Sequence, residues 1–135
     1  MTAKTIRNHE LVYGALQASD APMSAYDLLT ALQGEGINAP LTIYRALDRL
    51  QREGRIHKLN SVKAYVACAH PGHGSSSTVF AICRDCGSAE ELVQPEAVAA
   101  LRREGEHHGF TADEASIELQ GTCFTCRERA AGPQD

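Results

Sequence analysis

The order of apolar patterns along the chain predicts an α+β protein, with a winged helix followed by a small α+β module. Three helical patterns and a hairpin pattern fill residues 1–68, and short strand-like runs surround one helix in residues 79–135. The charge divides at nearly the same place: residues 1–66 hold eight Lys and Arg and six acids, whereas residues 67–135 hold five and eleven. We therefore expect the two parts to have different tasks.

Length and composition limit the classes of protein that the chain can form. It has 135 residues, five cysteines and a net charge of −4. Each of two parts would have a marginal core, so the second would need a metal or a partner subunit. No apolar run approaches the roughly 18 residues of a membrane span, and the polar residues 1–10 do not form a signal peptide. We expect a cytoplasmic protein without a membrane partner, whose cysteines bind metal or do redox chemistry rather than form disulfides.

The first part contains three helices predicted from apolar residues at helical spacing. The first covers residues 8–18, the second begins after an N-cap at Ser24 and ends before Gly34, and the third covers residues 41–53. Strand-like residues then form a hairpin from two short runs, 55–59 and 64–67. This order of elements is typical of a winged helix.

The second part begins after a predicted linker at residues 69–78, which is rich in Gly, Ser and His. A helix over residues 95–108 has Pro95 in its first turn and Gly109 just past its end. A last short helix should start near Phe124. Short strands are predicted at 78–82, 89–93 and 116–119.

The third helix has the pattern of a DNA recognition helix. Its first turns present Thr42, Tyr44 and Arg45, which could meet a phosphate, a thymine methyl and a guanine edge, and Arg49 lies one turn further along the same helix. Taken alone, this helix is explained better by a solvated basic face on an amphipathic helix. The order of the helices, the hairpin and the basic first half favour DNA binding.

Two Cys-x-x-Cys pairs are the most specific chemical pattern: Cys83 with Cys86, and Cys123 with Cys126. Each pair places two thiolates about one tetrahedral edge apart, so two pairs can complete a four-cysteine zinc site. A single pair would also fit a thioredoxin-like redox motif, but two pairs favour structural zinc. Because 36 residues separate the pairs, such a metal would tie the end of the second part to its start.

A second group of possible ligands surrounds the remaining cysteine. His57 and Cys68 lie on the two strands of the predicted hairpin or at its end, and Glu91 follows the first cysteine pair. His70 and His73 lie in the linker. A site built from these residues would bridge the two parts and suit Zn(II). The alternative is that Cys68 is simply a buried apolar residue and the histidines are surface polar groups.

Several stretches along nearly the whole chain carry a family resemblance: 24–29, 39–48, 57–58, 64–68, 82–87 and 117–123. They resemble the ferric uptake regulator family and, within it, the zinc uptake regulators. The resemblance implies a homodimer with an N-terminal winged-helix DNA-binding domain and a C-terminal α+β dimerisation domain. It also implies repression of zinc-uptake genes when zinc is sufficient.

The resemblance implies roles for individual residues as well. The four paired cysteines fall on the family's structural zinc site, and Tyr44 and Arg45 fall on its base-contacting positions. His57, Cys68 and Glu91 fall on three ligands of the regulatory zinc site of the zinc regulators.

The fourth regulatory ligand departs from the family pattern. It is usually a His seven residues before the first paired cysteine, and here that position is Ser76. Our candidate is His73, because a short Gly-Ser loop could absorb the shift, and His70 is the alternative.

We therefore expect a zinc-responsive repressor that binds an AT-rich palindromic operator as a homodimer, with two zinc ions per subunit, one structural and one regulatory. The alternatives are an iron, manganese or peroxide sensor of the same family, a zinc or thiol redox protein, and a zinc-stapled protein-interaction module. No general base stands beside an open metal position, as in His-Glu-x-x-His, so we expect neither an enzyme nor a small-molecule substrate.

Overall fold

The computed structural model describes residues 2–68 and 77–131. The chain forms two compact units, Met1–His73 and Gly74–Asp135. Both units contain helices and strands, which confirms the predicted α+β class. No helix among the described residues is long and apolar enough to cross a membrane.

The first unit is a three-helix bundle with a hairpin. Its core is formed by apolar residues from all three helices, among them Val12, Leu28, Ile43 and Leu50, which are completely buried. The elements are α1 Ala3–Ala18, α2 Ala25–Leu32, a 3₁₀ turn Gln33–Glu35, α3 Pro40–Arg52, β1 Ile56–Leu59 and β2 Ala64–Ala67. Because the buried side of α3 is occupied by this core, its opposite side faces outward.

Helix α1 begins at Ala3, so the start predicted at residue 8 is wrong. The side chain of Thr2 caps the helix by accepting a hydrogen bond of 3.1 Å from the Thr5 N–H. The extra residues make no apolar stripe, since Ile6 is about half exposed at 48%. Apolar periodicity therefore could not mark this end of the helix.

Helix α2 begins as its sequence indicates. Ser24 Oγ accepts from the Asp27 N–H and Asp27 Oδ2 accepts from the Ser24 N–H, both at 3.0 Å, which is a complete capping box. The 3₁₀ turn after the helix ends at Gly36, whose φ of 92° requires a residue without a Cβ penalty.

A residue before α2 pairs with the hairpin of the first unit. Ile56 pairs with Ala67 and Leu59 with Ala64 in an antiparallel ladder. Met23 adds an isolated bridge to Tyr65, with N–H···O distances of 3.0 and 2.8 Å. This bridge ties the segment before α2 to the hairpin, which completes the winged-helix arrangement.

The second unit contains a three-stranded sheet in the order β4-β3-β5. Its elements are β3 Ser77–Cys83, β4 Ala89–Glu91, α4 Pro95–His107, β5 Ala115–Gly121 and α5 Phe124–Ala130. β4 pairs antiparallel and β5 parallel with the central β3. The parallel pairing needs a crossover, and the segment containing β4 and α4 supplies it.

Two predicted boundaries in this unit are wrong. The last two residues of the predicted linker 69–78 belong to β3, where Ser77 pairs with Ala115 and Thr78 with Ser116. β4 ends at Glu91 rather than at residue 93, and Val93 is 64% exposed. In both cases the partner strand decides the boundary, and local sequence contains no information about that partner.

Candidate metal centres and nucleic-acid interface

The four paired cysteines come together at one end of the second sheet. Cys83 is the last residue of β3 and lies opposite Gly121, the last residue of β5. Cys123 follows two residues later as the N-cap of α5, and Cys126 lies in the first turn of that helix. The parallel pairing of β3 and β5 therefore brings the two distant pairs to the same place.

The geometry of the four sulfurs fits a tetrahedral metal ion. All four ligand atoms lie within 4.8 Å of one another, and the cysteines are free rather than disulfide-bonded. Zn–S bonds of about 2.3 Å in a tetrahedron give sulfur–sulfur edges of about 3.8 Å. The Sγ atoms of Cys86 and Cys123 are 3.8 Å apart. The donor set and its spacing therefore fit a tetrahedral zinc ion.

Hydrogen bonds prepare individual sulfurs for the thiolate state. The backbone N–H groups of Cys86 and Cys123 point at the sulfur of Cys83, the latter at 3.3 Å, and lower the pKa of Cys83 to about 6. The neighbouring sulfurs, that of Cys123 first, instead raise the pKa of Cys126 to about 12. Like charges this close oppose one another, so a bound cation is needed for all four to be thiolates.

Ser88 supports the same centre, although the sequence analysis did not single it out. Its Oγ lies 3.1 Å from the Cys86 Sγ, a hydrogen bond that lowers the pKa of Cys86, and its C=O accepts from the Cys83 N–H at 2.9 Å. Gly87, with a φ of 78°, turns the chain between the two. A small polar residue directly after a Cys-x-x-Cys-Gly turn was the available signal.

The hairpin of the first unit holds a second pair of possible ligands. His57 pairs with Val66 in the ladder, and the Cys68 N–H extends the ladder by donating to the Arg55 C=O at 2.8 Å. Side chains two positions apart share a face of a strand, so Cys68 lies diagonally across from His57. Their ligand atoms lie within 4.8 Å of each other, and both residues are 6% exposed. One zinc ion could bind both.

The other predicted regulatory ligands belong to other segments of the chain. Glu91 belongs to the second unit, where it ends β4, pairs with Phe80 and is half-buried. His73, the candidate for the fourth ligand, and its alternative His70 lie outside the described residues.

The outward side of α3 carries the four residues predicted to contact DNA. Tyr44 is 53% exposed, Arg45 is exposed and Thr42 is half-buried. Arg49 is also exposed, but its Nε donates to Glu53 Oε2 at 3.0 Å, so an ion pair within the helix holds it.

An apolar residue on the same helix escaped the sequence analysis. Leu41 is 56% exposed and lies three residues before Tyr44, so the two side chains are neighbours on the helix surface. Leu41 and Tyr44 thus form an exposed apolar pair beside Arg45. Its position in the first turn was visible in the sequence, but its exposure was not.

Comparison with known families gives a match over most of the chain. A model described as the ferric uptake regulator family matches residues 3–120. The zinc uptake regulation protein of Escherichia coli strain K12 is 32% identical over 114 residues, which are 84% of this chain and 67% of that protein. The zinc uptake regulation protein of Mycobacterium tuberculosis strain H37Rv is 29% identical over 128 residues, 92% of this chain and 95% of that protein.

Solved structures give the same result for the fold. The crystal structure of holo XcZur has a TM-score of 0.82 and 37% identity, with 93% of this chain and 85% of that chain covered. A zinc uptake regulator complexed with zinc and DNA has a TM-score of 0.87 and 30% identity, with coverages of 93% and 84%.

Proposed function

The chain belongs to the ferric uptake regulator family, and from that membership we propose that it is a zinc-responsive transcriptional repressor. It binds operator DNA as a dimer when zinc is bound and represses genes for zinc uptake. The observation that carries the proposal is the position of the buried His57–Cys68 pair. The pair lies in the hairpin that directly follows the recognition helix, where a metal can influence DNA binding.

Two zinc ions per subunit follow from the two ligand sets. Cys83, Cys86, Cys123 and Cys126 hold a structural zinc, because their sulfurs have tetrahedral spacing. His57, Cys68, Glu91 and His73 hold a regulatory zinc. These residues come from both units, so metal binding there would favour one relative orientation of the units over others. A thiolate in this set favours Zn(II) over Fe(II) or Mn(II), which argues against an iron, manganese or peroxide sensor.

The DNA surface combines the recognition helix and the hairpin. Arg45 can bind a guanine edge, while Tyr44 and Leu41 offer apolar contact to thymine methyl groups in an AT-rich operator. Thr42 and Arg49 would contact phosphates. Lys58 and Lys63 are exposed on the hairpin, where basic side chains add contacts to the DNA backbone.

A homodimer is supported by the second unit. β5 is an edge strand of its sheet, with one side unpaired by any described strand, and Leu119 on this strand is 53% exposed. Phe110 and Phe124, also in this unit, are 63% and 68% exposed. Apolar side chains beside an open edge are typical of a subunit interface. A symmetric dimer in turn requires a palindromic operator with two half-sites.

The proposal is tested by a gel-shift titration, in which the protein is added to an AT-rich palindrome from a zinc-uptake promoter at a series of buffered free zinc concentrations. The same titration is run with Fe(II) and with Mn(II). We expect tight binding to appear only as zinc rises, because zinc must favour the binding-competent form by several kcal/mol to act as a switch. Binding without metal, or stronger binding with iron or manganese, would contradict the zinc response. Loss of the shift in moderate salt would be expected too, since phosphate contacts release counterions.

The redox and interaction-module alternatives have their own discriminating results. A redox protein would cycle a disulfide between its cysteine pairs under mild oxidant, whereas zinc-bound thiolates resist a thiol-reactive probe until a chelator is added. An interaction module without DNA affinity would give no salt-dependent shift on any duplex.

A further inference from the structure

Arg55 connects α3, the hairpin and α1 of the first unit. Its N–H donates to the Leu50 C=O at 3.0 Å and so closes the end of α3, after Gly54 turns the chain with a φ of 71°. Its C=O accepts the Cys68 N–H at 2.8 Å. The main chain of Arg55 is thus the direct link between the recognition helix and the backbone of Cys68.

The side chain of Arg55 is anchored on α1. Its Nη1 and Nη2 donate to the two carboxylate oxygens of Glu10 at 2.8 and 3.0 Å, a bidentate pair. The guanidinium also lies 4.0 Å from the ring centroid of Tyr13, one turn further along the helix. Glu53 adds a weaker contact at 3.6 Å. Three groups therefore hold one side chain, which is only 26% exposed.

Charge keeps this anchor intact at ordinary pH. The hydrogen bonds from Arg55 lower the pKa of Glu10 below its usual value, and those from Glu10 raise the pKa of Arg55. Both partners are therefore ionised. The bidentate geometry also distinguishes the pair from ordinary surface ion pairs, which contribute little.

Because the side chain is anchored and the carbonyl holds Cys68, we infer that Arg55 is a positioning residue for the regulatory metal ligand Cys68. The inference rests on the proposed function. Glu10 and Tyr13 hold the Arg55 side chain and so restrain its backbone, the Arg55 carbonyl holds the Cys68 N–H, and the Cys68 sulfur stays diagonally across from the His57 ring. Hydrogen-bond partners that orient a metal ligand raise metal affinity, and here the orientation is imposed through the backbone of the ligand.

The inference is tested by measuring zinc affinity of the full-length protein, with the four-cysteine site loaded, by competition with a chelator. We expect Arg55→Met to lower the affinity of the regulatory site about 10-fold, the lower end of the effect of such partners. Arg55→Lys should give an intermediate loss, because it keeps the charge but not the bidentate contact. Cobalt(II) bound in place of zinc should show a weakened sulfur-to-metal absorption band in the Met variant.

Arg7→Met is the matched control. Arg7 lies on α1 and, like Arg55, pairs with a residue far away in the same unit: its Nη2 is 3.8 Å from Glu35 Oε2 and its Nη1 donates to the Glu35 C=O, so its partner lies in the 3₁₀ turn rather than in the hairpin. It should leave zinc affinity and the cobalt band unchanged. Glu10→Gln serves as a milder variant if Arg55→Met fails to fold, and it should lower zinc affinity in the same direction.

The outcomes separate this inference from the proposed function. Wild-type protein that holds only the four-cysteine zinc would overturn the proposed function and the inference with it. Wild-type protein with two zinc ions, and Arg55 and Glu10 variants that melt at lower temperature but bind zinc unchanged, would overturn the inference alone. Equal losses in Arg7→Met would also overturn it, since general destabilisation would then explain the effect.

Discussion

The individual cysteines of this protein differ in their burial and in the unit to which they belong. Cys83 and Cys126 are buried beneath the second sheet's end, whereas Cys86 is exposed. Cys68 is equally buried but belongs to the first unit, where the well-packed core does not depend on it. Removing a thiol should therefore have different consequences in the two units.

Cys68→Ser should abolish zinc-stimulated DNA binding while leaving the protein folded and dimeric. Serine keeps the size of the side chain but is a poor zinc ligand, and the core of the first unit does not need the sulfur. The measurement is DNA affinity with and without zinc, together with circular dichroism and sedimentation. Cys126→Ser is the comparison, because loss of a structural zinc ligand should unfold the second unit. A monomeric or unfolded Cys68→Ser protein would contradict the division into two kinds of site.

The elements show which features local sequence can predict. The capping box at Ser24, the apolar stripe of α3 and both Cys-x-x-Cys turns depend on neighbours within four residues, and the structure contains the elements predicted from them. The predicted start of α1 was wrong because a side-chain cap, without an apolar stripe, decides where this helix begins. The predicted start of β3 was wrong because the pairing with the distant strand β5 decides it. The pairing of β3 with β5 joins residues nearly 40 apart, and no local pattern indicates it.

The candidate sites divide in the same way. The spacing of the cysteine pairs is enough to predict a metal site, and the structure brings their sulfurs together. The proximity of His57 and Cys68 could be predicted only with the register of the hairpin. No sequence pattern indicates the contribution of Arg55 to that hairpin. The role of Glu91 and of His73 as ligands stays a prediction.

The recognition helix offers a direct test of DNA reading. Arg45→Ala should weaken operator binding by about 1–3 kcal/mol and relax base preference at one position of each half-site. Arg52→Ala is the control, because Arg52 lies on the same helix and is exposed but pairs with Asp48 one turn earlier. Fluorescence anisotropy on the operator and on single-base variants measures both effects. Unchanged affinity and specificity in Arg45→Ala would show that α3 does not read bases.

The proposed function gives the whole molecule two zinc ions per subunit, one for the fold of the second unit and one for the response to zinc. They should leave in two steps under increasing chelator strength. A moderate chelator should remove one zinc per subunit and abolish DNA binding, while circular dichroism stays unchanged. A stronger chelator should remove the second zinc and unfold the second unit, since structural zinc contributes about 10–16 kcal/mol of apparent binding energy. Release of both ions in one step together with unfolding would contradict this order.

The parallel pairing of β3 with β5 also has a consequence in time. During synthesis the first cysteine pair leaves the ribosome well before the second, because 36 residues separate them. At about 5–20 residues per second this interval lasts about 2–7 seconds. Through that interval two thiols of the centre have no partners with which to enclose a metal. If the proposed structural zinc binds there, each new copy of the protein closes its second unit on zinc that it takes up only after the second cysteine pair has left the ribosome.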